Sequence, residues 1–147
     1  MRLLLKNVIS EEYSLALLDS TNVGNVFLFA DNFPPVVQQV YREIKKNVPE
    51  IRLNEPAYWQ IEKTKLGHIV HNDKGDTEHM TWCTYGASCL LSPPEEYEGG
   101  EFFYVKPDAQ VRAEEHYLSV VVHDSEQLHK VSSIKKGDRY VLLMFFS

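Results

Sequence analysis

The sequence has few cysteines, the residues whose disulfide bonds stabilise many small secreted proteins. It contains only two cysteines, Cys83 and Cys89, in 147 residues. If both lie in one extended strand, their positions are about 20 Å apart, whereas the Cα atoms of a disulfide lie within about 7 Å of each other. We therefore predict two free thiols, which favour a reducing, cytoplasmic compartment.

Long apolar segments and an excess of basic charge are also missing. The longest apolar run, Tyr140–Phe146, has seven residues, far short of the ~20 that a membrane-spanning helix needs. The N-terminal apolar residues give way to Lys6 before the hydrophobic segment of a signal peptide develops. The formal net charge is −6, which argues against nucleic acid as a partner. We expect neither membrane nor nucleic acid to be involved.

What the sequence does contain is the composition of an ordinary globular domain. Hydrophobic residues make up 44% and charged residues 24% of the chain, so intrinsic disorder is disfavoured. A chain of this length buries roughly 70% of the surface that it exposes when unfolded. We therefore predict a single domain over residues 1–147 with one sizeable core.

The pattern along the chain predicts a mainly β fold with helical support. Near the N-terminus, Tyr13–Leu18 and Val26–Ala30 have the length and composition of strands. An amphipathic helix follows, with Val37, Val40 and Ile44 on its apolar face. From residue 57 onward, turn signals separate candidate strands at Tyr58–Glu62, Leu66–His71, Met80–Leu91, Glu101–Val105, Tyr117–Val122, Leu128–Ser132 and Arg139–Phe146. Many short strands with regular turns indicate a jelly roll, with one or two helices supporting one sheet.

Three residues are candidates for a metal site. His71 and Asp73 are two positions apart at the end of a strand pattern, so their side chains project to the same side. An imidazole and a carboxylate suit Fe(II), Mn(II) or Co(II), but this pair alone is a weak motif. His129, in a short strand-like run near the C-terminus, is the candidate third ligand. Two histidines and one carboxylate leave three adjacent metal positions open, as in non-haem Fe(II) oxygenases.

Arg139 is the candidate anion-binding residue. Period-two alternation places it on the same strand face as Val141, Leu143 and Phe145. Both faces of this strand are apolar, so the guanidinium is predicted to be buried and to need an anion. The sequence indicates no fixed partner, and a planar guanidinium suits a bound carboxylate. A diacid that chelates the metal at one end is predicted to meet Arg139 at the other.

Other histidines are interpreted as bystanders. In the His123-Asp124 pair, adjacent side chains point to opposite faces, so the two residues are not predicted to chelate one ion. His68, three positions before His71, is predicted to face away from it in a regular strand. Neither histidine is therefore assigned to the metal site.

Four segments resemble one known family, the 2-oxoglutarate and Fe(II)-dependent dioxygenases, and most closely its prolyl-hydroxylase-like branch. They are His71-Asn72-Asp73, Leu90 to Phe102 with its Gly99-Gly100 turn, Leu128-His129-Lys130-Val131, and Lys136 to Leu142. The resemblance implies a double-stranded β-helix, with His71, Asp73 and His129 holding one Fe(II). It implies that Arg139 binds the distal carboxylate of 2-oxoglutarate. It further implies that dioxygen is used to convert 2-oxoglutarate to succinate and to hydroxylate a C–H bond.

The sequence departs from the family pattern near the expected cosubstrate pocket. Family members often carry a tyrosine on the strand before the Gly-Gly turn, and the matching position here is Cys89. Tyr85 shares a strand face with Cys89, so both are candidate cosubstrate-binding residues. The spacing of Gly67 and His68 before the first histidine also differs slightly from the family pattern.

The substrate and two other functions remain open at this point. The resemblance makes a prolyl residue in a peptide or protein the default substrate, while other side chains, free amino acids and small metabolites are alternatives. The alternatives to an oxo-acid-dependent enzyme are a catalytically inactive jelly-roll binding module and a metal cupin dioxygenase that does not use 2-oxoglutarate. Oxo-acid turnover distinguishes the three.

Overall fold

The computed structural model describes residues 2–19, 28–29, 34–52, 55–74 and 80–147. Within these ranges there are two α-helices, α1 (Glu11–Asp19) and α2 (Pro35–Asn47), and a short 3-10 helix at Pro94–Glu96. The strands in the same ranges are β1 (Arg2–Leu5), β2 (Leu28–Phe29), β3 (Pro56–Thr64), β4 (His68–His71), β5 (Tyr85–Leu90), β6 (Tyr97–Gly99), β7 (Phe102–Val105), β8 (Gln110–Arg112), β9 (Val120–Asp124), β10 (His129–Val131), β11 (Ile134–Gly137) and β12 (Arg139–Phe146).

The strands form a larger and a smaller antiparallel sheet. The larger sheet has the order β1-β9-β5-β12-β3-β2, and the smaller has the order β4-β10-β7-β8. A short two-stranded ribbon joins β11 to β6. Most neighbouring strands are distant in sequence, as crossing between two sheets requires, and among the described strands only β2–β3 and β7–β8 are consecutive. The predicted jelly roll with supporting helices is confirmed.

The predicted amphipathic helix is confirmed as α2, which packs on the larger sheet. Val37, Val40, Tyr41 and Ile44 are buried in the main apolar cluster. The ring of Tyr41 lies 5.2 Å from that of Phe146 on β12. The 3.6-residue period of these side chains matches their shared contact with the sheet, so burial of one face stabilises the helix.

One predicted strand is wrong, because residues 13–18 lie in helix α1. Ser10 caps the helix, since its Oγ accepts a hydrogen bond from the backbone N–H of Tyr13 at 3.2 Å. Ser14 and Leu17 are buried three positions apart on one side of the helix. The helix of nine residues is only a little longer than a strand, and a short apolar run of that length does not separate the two by period.

The rest of the N-terminal prediction is only partly covered by the described residues. Of the predicted strand Val26–Ala30, the structure describes Leu28 and Phe29, which form β2 against β3. The remaining three positions lie outside the described residues. Strand β1 was not predicted, and it pairs with β9 at the edge of the larger sheet.

The cysteine prediction is confirmed, because both cysteines are buried free thiols. Burial raises the pKa of the Cys83 thiol and that of the Cys89 thiol to about 12, so neither is an activated nucleophile. Among the described residues, no helix has the length and apolar character needed to cross a membrane.

Candidate functional site

A cavity between the two sheets is lined by side chains that can bind a metal ion or carry a charge. The inward face of β12 lines it with Arg139, Val141, Leu143 and Phe145, which confirms the predicted alternation. The cavity also contains the titratable residues Glu62, His68, His71, Asp73, His123 and His129. The cavity is therefore lined by apolar side chains of β12 on one side and by titratable side chains, including the candidate metal ligands, on the other.

The three predicted metal ligands converge. His71 ends β4, Asp73 lies in the turn after it, and His129 begins β10, where it pairs directly with His71. One ligand atom from each residue lies within 4.8 Å of the other two. An ion with bonds of about 2 Å needs only a small contraction of this group to bind all three.

Backbone hydrogen bonds orient both imidazoles toward this point. The Nδ1 atom of His71 lies 2.7 Å from the carbonyl oxygen of Ile69, and that of His129 lies 2.8 Å from the carbonyl oxygen of Gln127. A carbonyl oxygen only accepts hydrogen bonds, so in both rings Nδ1 carries the hydrogen. In the neutral form of each ring, the Nε2 lone pair is therefore the one available to a metal.

Asp73 is held as a buried, ionised carboxylate. Its backbone N–H donates to the carbonyl oxygen of Ser125, which ties the turn to β9. Burial by itself raises the pKa of Asp73, but the neighbouring imidazoles of His123 and His129 outweigh it and leave the pKa well below its ordinary value. Burial lowers the pKa of His123, and its Nε2–H is the donor to Asp73, because a carboxylate oxygen only accepts.

His123 belongs to the site, which corrects its interpretation as a bystander. Strand β9 continues through His123, whose Nε2 lies 2.6 Å from Oδ2 of Asp73. The partner position across the sheet is Gly86 on β5. A Cβ at Gly86 would lie 2.9 Å from His123 Nε2, so the missing side chain makes room for the pair. An interior strand glycine is the one sequence signal that pointed here.

Replacing His123 with phenylalanine is expected to weaken Mn(II) binding by about 10–100-fold, because Asp73 loses the donor that orients its second oxygen. Phenylalanine keeps an aromatic ring beside Phe102 and Tyr104, whose rings lie 6.3 Å and 5.8 Å from that of His123. Mn(II) titration followed by electron paramagnetic resonance measures the effect. The control is His116→Phe, an exposed histidine that pairs with Glu114. Unchanged affinity in His123→Phe would remove His123 from the metal-binding arrangement.

His68 also faces the cavity, contrary to its predicted orientation. In the pairing of β10 with β4, His129 lies opposite His71 and Val131 lies opposite His68. The two residues on β10 are two positions apart, whereas their partners on β4 are three positions apart. This β-bulge inserts one residue and returns His68 to the face of His71. His68 Nε2 lies 2.6 Å from Oε1 of Glu62, a hydrogen bond that raises the pKa of His68. The strand period alone could not show the bulge.

Arg139 is buried as predicted, but the chain itself supplies an anion for it. Its side chain is 2% exposed, and its Nη2 donates to Oε2 of Glu115 at 2.8 Å. Its Nη1 donates to Oγ1 of Thr64 at 3.2 Å. Thr64 stands opposite Arg139 in the sheet register, whereas Glu115 lies in the segment between β8 and β9. The expectation of a guanidinium without a fixed partner is therefore wrong.

The two further candidates for cosubstrate binding lie elsewhere. Tyr85 and Cys89 sit on the face of β5 that packs into the main apolar cluster beneath the helices. On the opposite face of β5, Gly86 approaches Asp73 and Ser88 lines the cavity. Neither Tyr85 nor Cys89 is among the described residues that line the cavity, so the geometry offers them no contact with a bound oxo-acid.

Curated proteins with similar sequences are named PKHD-type hydroxylases. The one from Hyphomonas neptunium is 29% identical over 140 residues, which cover 91% of this chain and 58% of that protein. The one from Crocosphaera subtropica is 40% identical over 54 residues, which cover 37% of this chain and 24% of that protein. The chain therefore spans less than two thirds of the length of these relatives. No family model matches it.

Solved structures with a similar fold include prolyl hydroxylases. The viral collagen prolyl hydroxylase of Paramecium Bursaria Chlorella virus-1, in its 2OG complex, has a TM-score of 0.70 and 14% identity, covering 99% of this chain and 94% of that one. A prolyl hydroxylase from Trichoplax adhaerens, in complex with a hypoxia inducible factor peptide fragment, has a TM-score of 0.63 and 13% identity. The match covers 99% of this chain and 82% of that one. At these identities the likeness concerns the fold.

Relatives in sequence and neighbours in fold point to the same group of proteins. The curated relatives carry hydroxylase names, and the structural neighbours, which include prolyl hydroxylases, have a similar fold. The predicted resemblance is therefore confirmed: the chain is similar to the 2-oxoglutarate and Fe(II)-dependent oxygenases, on their prolyl-hydroxylase-like side, and has their jelly-roll fold.

Proposed function

We propose that this protein is an Fe(II)- and 2-oxoglutarate-dependent dioxygenase that hydroxylates a C–H bond, with residues 1–147 acting as one domain. The observation that carries the proposal is the convergence of two imidazoles and a carboxylate. One ligand atom from each of His71, Asp73 and His129 lies within 4.8 Å of the other two. Nε2 of His129 and Oδ1 of Asp73 lie 3.3 Å apart, a separation that two ligands of one metal ion can adopt.

The donor set fits Fe(II). Two imidazole nitrogens and one carboxylate oxygen leave three adjacent positions of an octahedral ion for other ligands. His71, Asp73 and His129 would hold the metal, and their summed charge would leave the centre at a formal +1, which attracts an anionic oxo-acid. Bound there, Fe(II) would supply the reaction of dioxygen with 2-oxoglutarate and the C–H bond, which yields succinate, carbon dioxide and the hydroxylated product.

The remaining cavity residues position the reactants and exclude water. Arg139 lines the same cavity as the three ligands and provides a cation for the far carboxylate of 2-oxoglutarate. The ring of Phe102 stacks on that of His129 at 5.5 Å, with 16° between the planes. Together with Val141 and Leu143 it makes the site apolar around its charged groups, which strengthens electrostatic interactions inside.

We propose a peptide or protein as the hydroxylated substrate, with a prolyl residue as the default target. The prolyl hydroxylase names among the structural neighbours, one of them in complex with a peptide, support this choice. Small metabolites remain the alternative, since variable loops select the substrate. The net charge of −6 disfavours nucleic acid. The two free thiols support a reducing, cytoplasmic setting.

The test compares the wild-type protein with Arg139→Ala in the presence of Fe(II), dioxygen and 2-oxoglutarate. We expect the wild type to form succinate, and we expect the variant to show a KM for 2-oxoglutarate raised by about 10–100-fold, because a charge-assisted hydrogen bond is lost. Succinate is measured by nuclear magnetic resonance, and Mn(II) binding shows whether the metal site of the variant is intact. The control is Arg112→Ala, an exposed arginine paired with Glu101.

Two other results would identify the alternative functions. A wild-type protein that binds neither Mn(II) nor 2-oxoglutarate would be an inactive jelly-roll module. A protein that consumes dioxygen equally well without 2-oxoglutarate, and whose activity survives Arg139→Ala, would be a metal cupin dioxygenase. Either result would contradict the proposed function.

A further inference from the structure

Glu115 is a buried carboxylate to which the proposed reaction gives no role. Its side chain is 11% exposed, against 64% for that of its neighbour Glu114. It lies 2.8 Å from Nη2 of Arg139, the group that the proposed function assigns to the cosubstrate. Burying a carboxylate is costly unless it is paired, so Glu115 is held in place by Arg139.

The guanidinium of Arg139 is already engaged on two sides. Nη2 donates to Glu115 and Nη1 donates to Thr64. Thr64 in turn donates its hydroxyl hydrogen to Oε1 of Glu62 at 3.1 Å, so a second carboxylate lies close to the same cation. Nε of Arg139 is buried and has no hydrogen-bond partner among the described residues. Two of the five guanidinium N–H groups, one on each Nη atom, therefore donate to the chain itself.

The attraction between Glu115 and Arg139 is partly offset by the cost of burying the Glu115 carboxylate. Burial raises the pKa of Glu115, and the attraction of Arg139 offsets this only in part. A carboxylate in this position gains one strong hydrogen bond but loses its hydration. An incoming carboxylate that offers Arg139 the same hydrogen bond replaces Glu115 without leaving the guanidinium unpaired.

We propose that Glu115 competes with the distal carboxylate of 2-oxoglutarate for Arg139 and so sets the affinity of the site for dicarboxylate oxo-acids. This inference rests on the proposed function. It makes Glu115 a specificity-determining residue: a dicarboxylate competes with it for the guanidinium, whereas an oxo-acid without a distal carboxylate does not. The cost of this competition falls only on the first class.

The experiment measures binding to the Mn(II)-loaded chain of 147 residues by isothermal titration calorimetry under argon. The variants are wild type, Glu115→Gln and the exposed matched control Glu114→Gln. The probes are 2-oxoglutarate and pyruvate, which lacks the distal carboxylate. We expect Glu115→Gln to bind 2-oxoglutarate about tenfold more tightly, because a neutral amide competes less well for a guanidinium than a carboxylate does. Pyruvate affinity and the affinity of Glu114→Gln are expected to stay within about twofold of wild type.

Each remaining outcome overturns the inference in a recognisable way. If the wild type binds 2-oxoglutarate and Glu115→Gln binds it equally or less tightly, the competition is refuted while the proposed function stands. If Glu115→Gln binds 2-oxoglutarate and pyruvate more tightly by the same factor, Glu115 affects the metal-binding end of the oxo-acid rather than its distal carboxylate, and the inference is refuted. If every protein binds Mn(II) and none binds either oxo-acid, the proposed function and the inference fall together.

A second variant covers the case in which Glu115→Gln does not fold. Glu115→Asp keeps the negative charge and shortens the side chain by one methylene, which lengthens the contact with Arg139. We expect Glu115→Asp to gain about threefold in 2-oxoglutarate affinity, because a longer charge-assisted hydrogen bond is weaker. An affinity at or below that of the wild type would refute the competition.

Discussion

Replacing Asp73 with alanine is expected to abolish succinate formation. Asp73 is the carboxylate ligand of the candidate metal site, and it is also the acceptor for His123 and the neighbour of His129. Without it, two neutral imidazoles remain, and they bind Fe(II) or Mn(II) much less well than a set that includes a carboxylate. The measurements are the molar ratio of bound Mn(II) after dialysis and the rate of succinate formation with Fe(II) held constant.

The control for this substitution is Asp108→Ala, which removes an exposed carboxylate in the loop between β7 and β8. The Asp73→Ala variant leaves the buried Nε2–H of His123 without its acceptor, which costs about 1–3 kcal/mol of the free energy of unfolding. A thermal melt therefore accompanies the activity assay, so that loss of metal is distinguished from loss of fold. Turnover at the wild-type rate in Asp73→Ala would refute the metal site.

Replacing Gly86 with alanine is expected to lower succinate formation by about 100-fold, since a displacement of about 1 Å at a reacting centre has an effect of this size. A Cβ at this position would lie closer than 3.0 Å to a carboxylate oxygen of Asp73 and 2.9 Å from Nε2 of His123. The Asp73 side chain can give way only by moving its oxygen away from the metal-binding point. Mn(II) affinity and succinate formation are measured together.

The cause of this effect is steric, and the control is chosen accordingly. The backbone of Gly86 does not adopt a positive φ, so alanine introduces no backbone strain and is the better strand former. Thr84→Ala changes an exposed residue of the same segment that lies outside the cavity. If Gly86→Ala bound Mn(II) as tightly as Thr84→Ala does, the close approach of β5 to Asp73 would have no part in the site.

Site residues that could be predicted from the sequence are recognised by patterns within a few neighbouring positions. The site residues that were missed depend on contacts between distant parts of the chain. His71 and Asp73 are two positions apart, and Arg139 shares a strand face with three apolar residues, so local period sufficed for them. His123 was discounted because it and the adjacent Asp124 point to opposite faces of a strand. That local rule does not show its contact with Asp73, which is 50 positions away in sequence. His68 was misplaced because a one-residue bulge reverses the face of everything beyond it.

The residues 13–18 were misassigned for a related reason. Their apolar run suits either a strand or one side of a short helix, and the decision came from Ser10 capping the segment and from contacts with the core. By contrast, α2 was predicted because its apolar period extends over more than three turns. Long periodic elements therefore followed from the sequence, and short ones depended on their surroundings.

By itself, the amino-acid sequence determined the jelly-roll class, the helix α2, the free thiols and the three candidate ligands with their arginine. Most of these follow from composition, period and short spacings, which act over a few residues, and His129 followed from the need for a third ligand and from the family resemblance. Only the tertiary structure decided that His123 supports Asp73, that Gly86 makes room for both, and that Glu115 occupies Arg139. Those contacts join strands and loops from distant parts of the chain. Hydrogen bonds and steric exclusion act at about 3 Å, so they depend on where tertiary packing places each side chain.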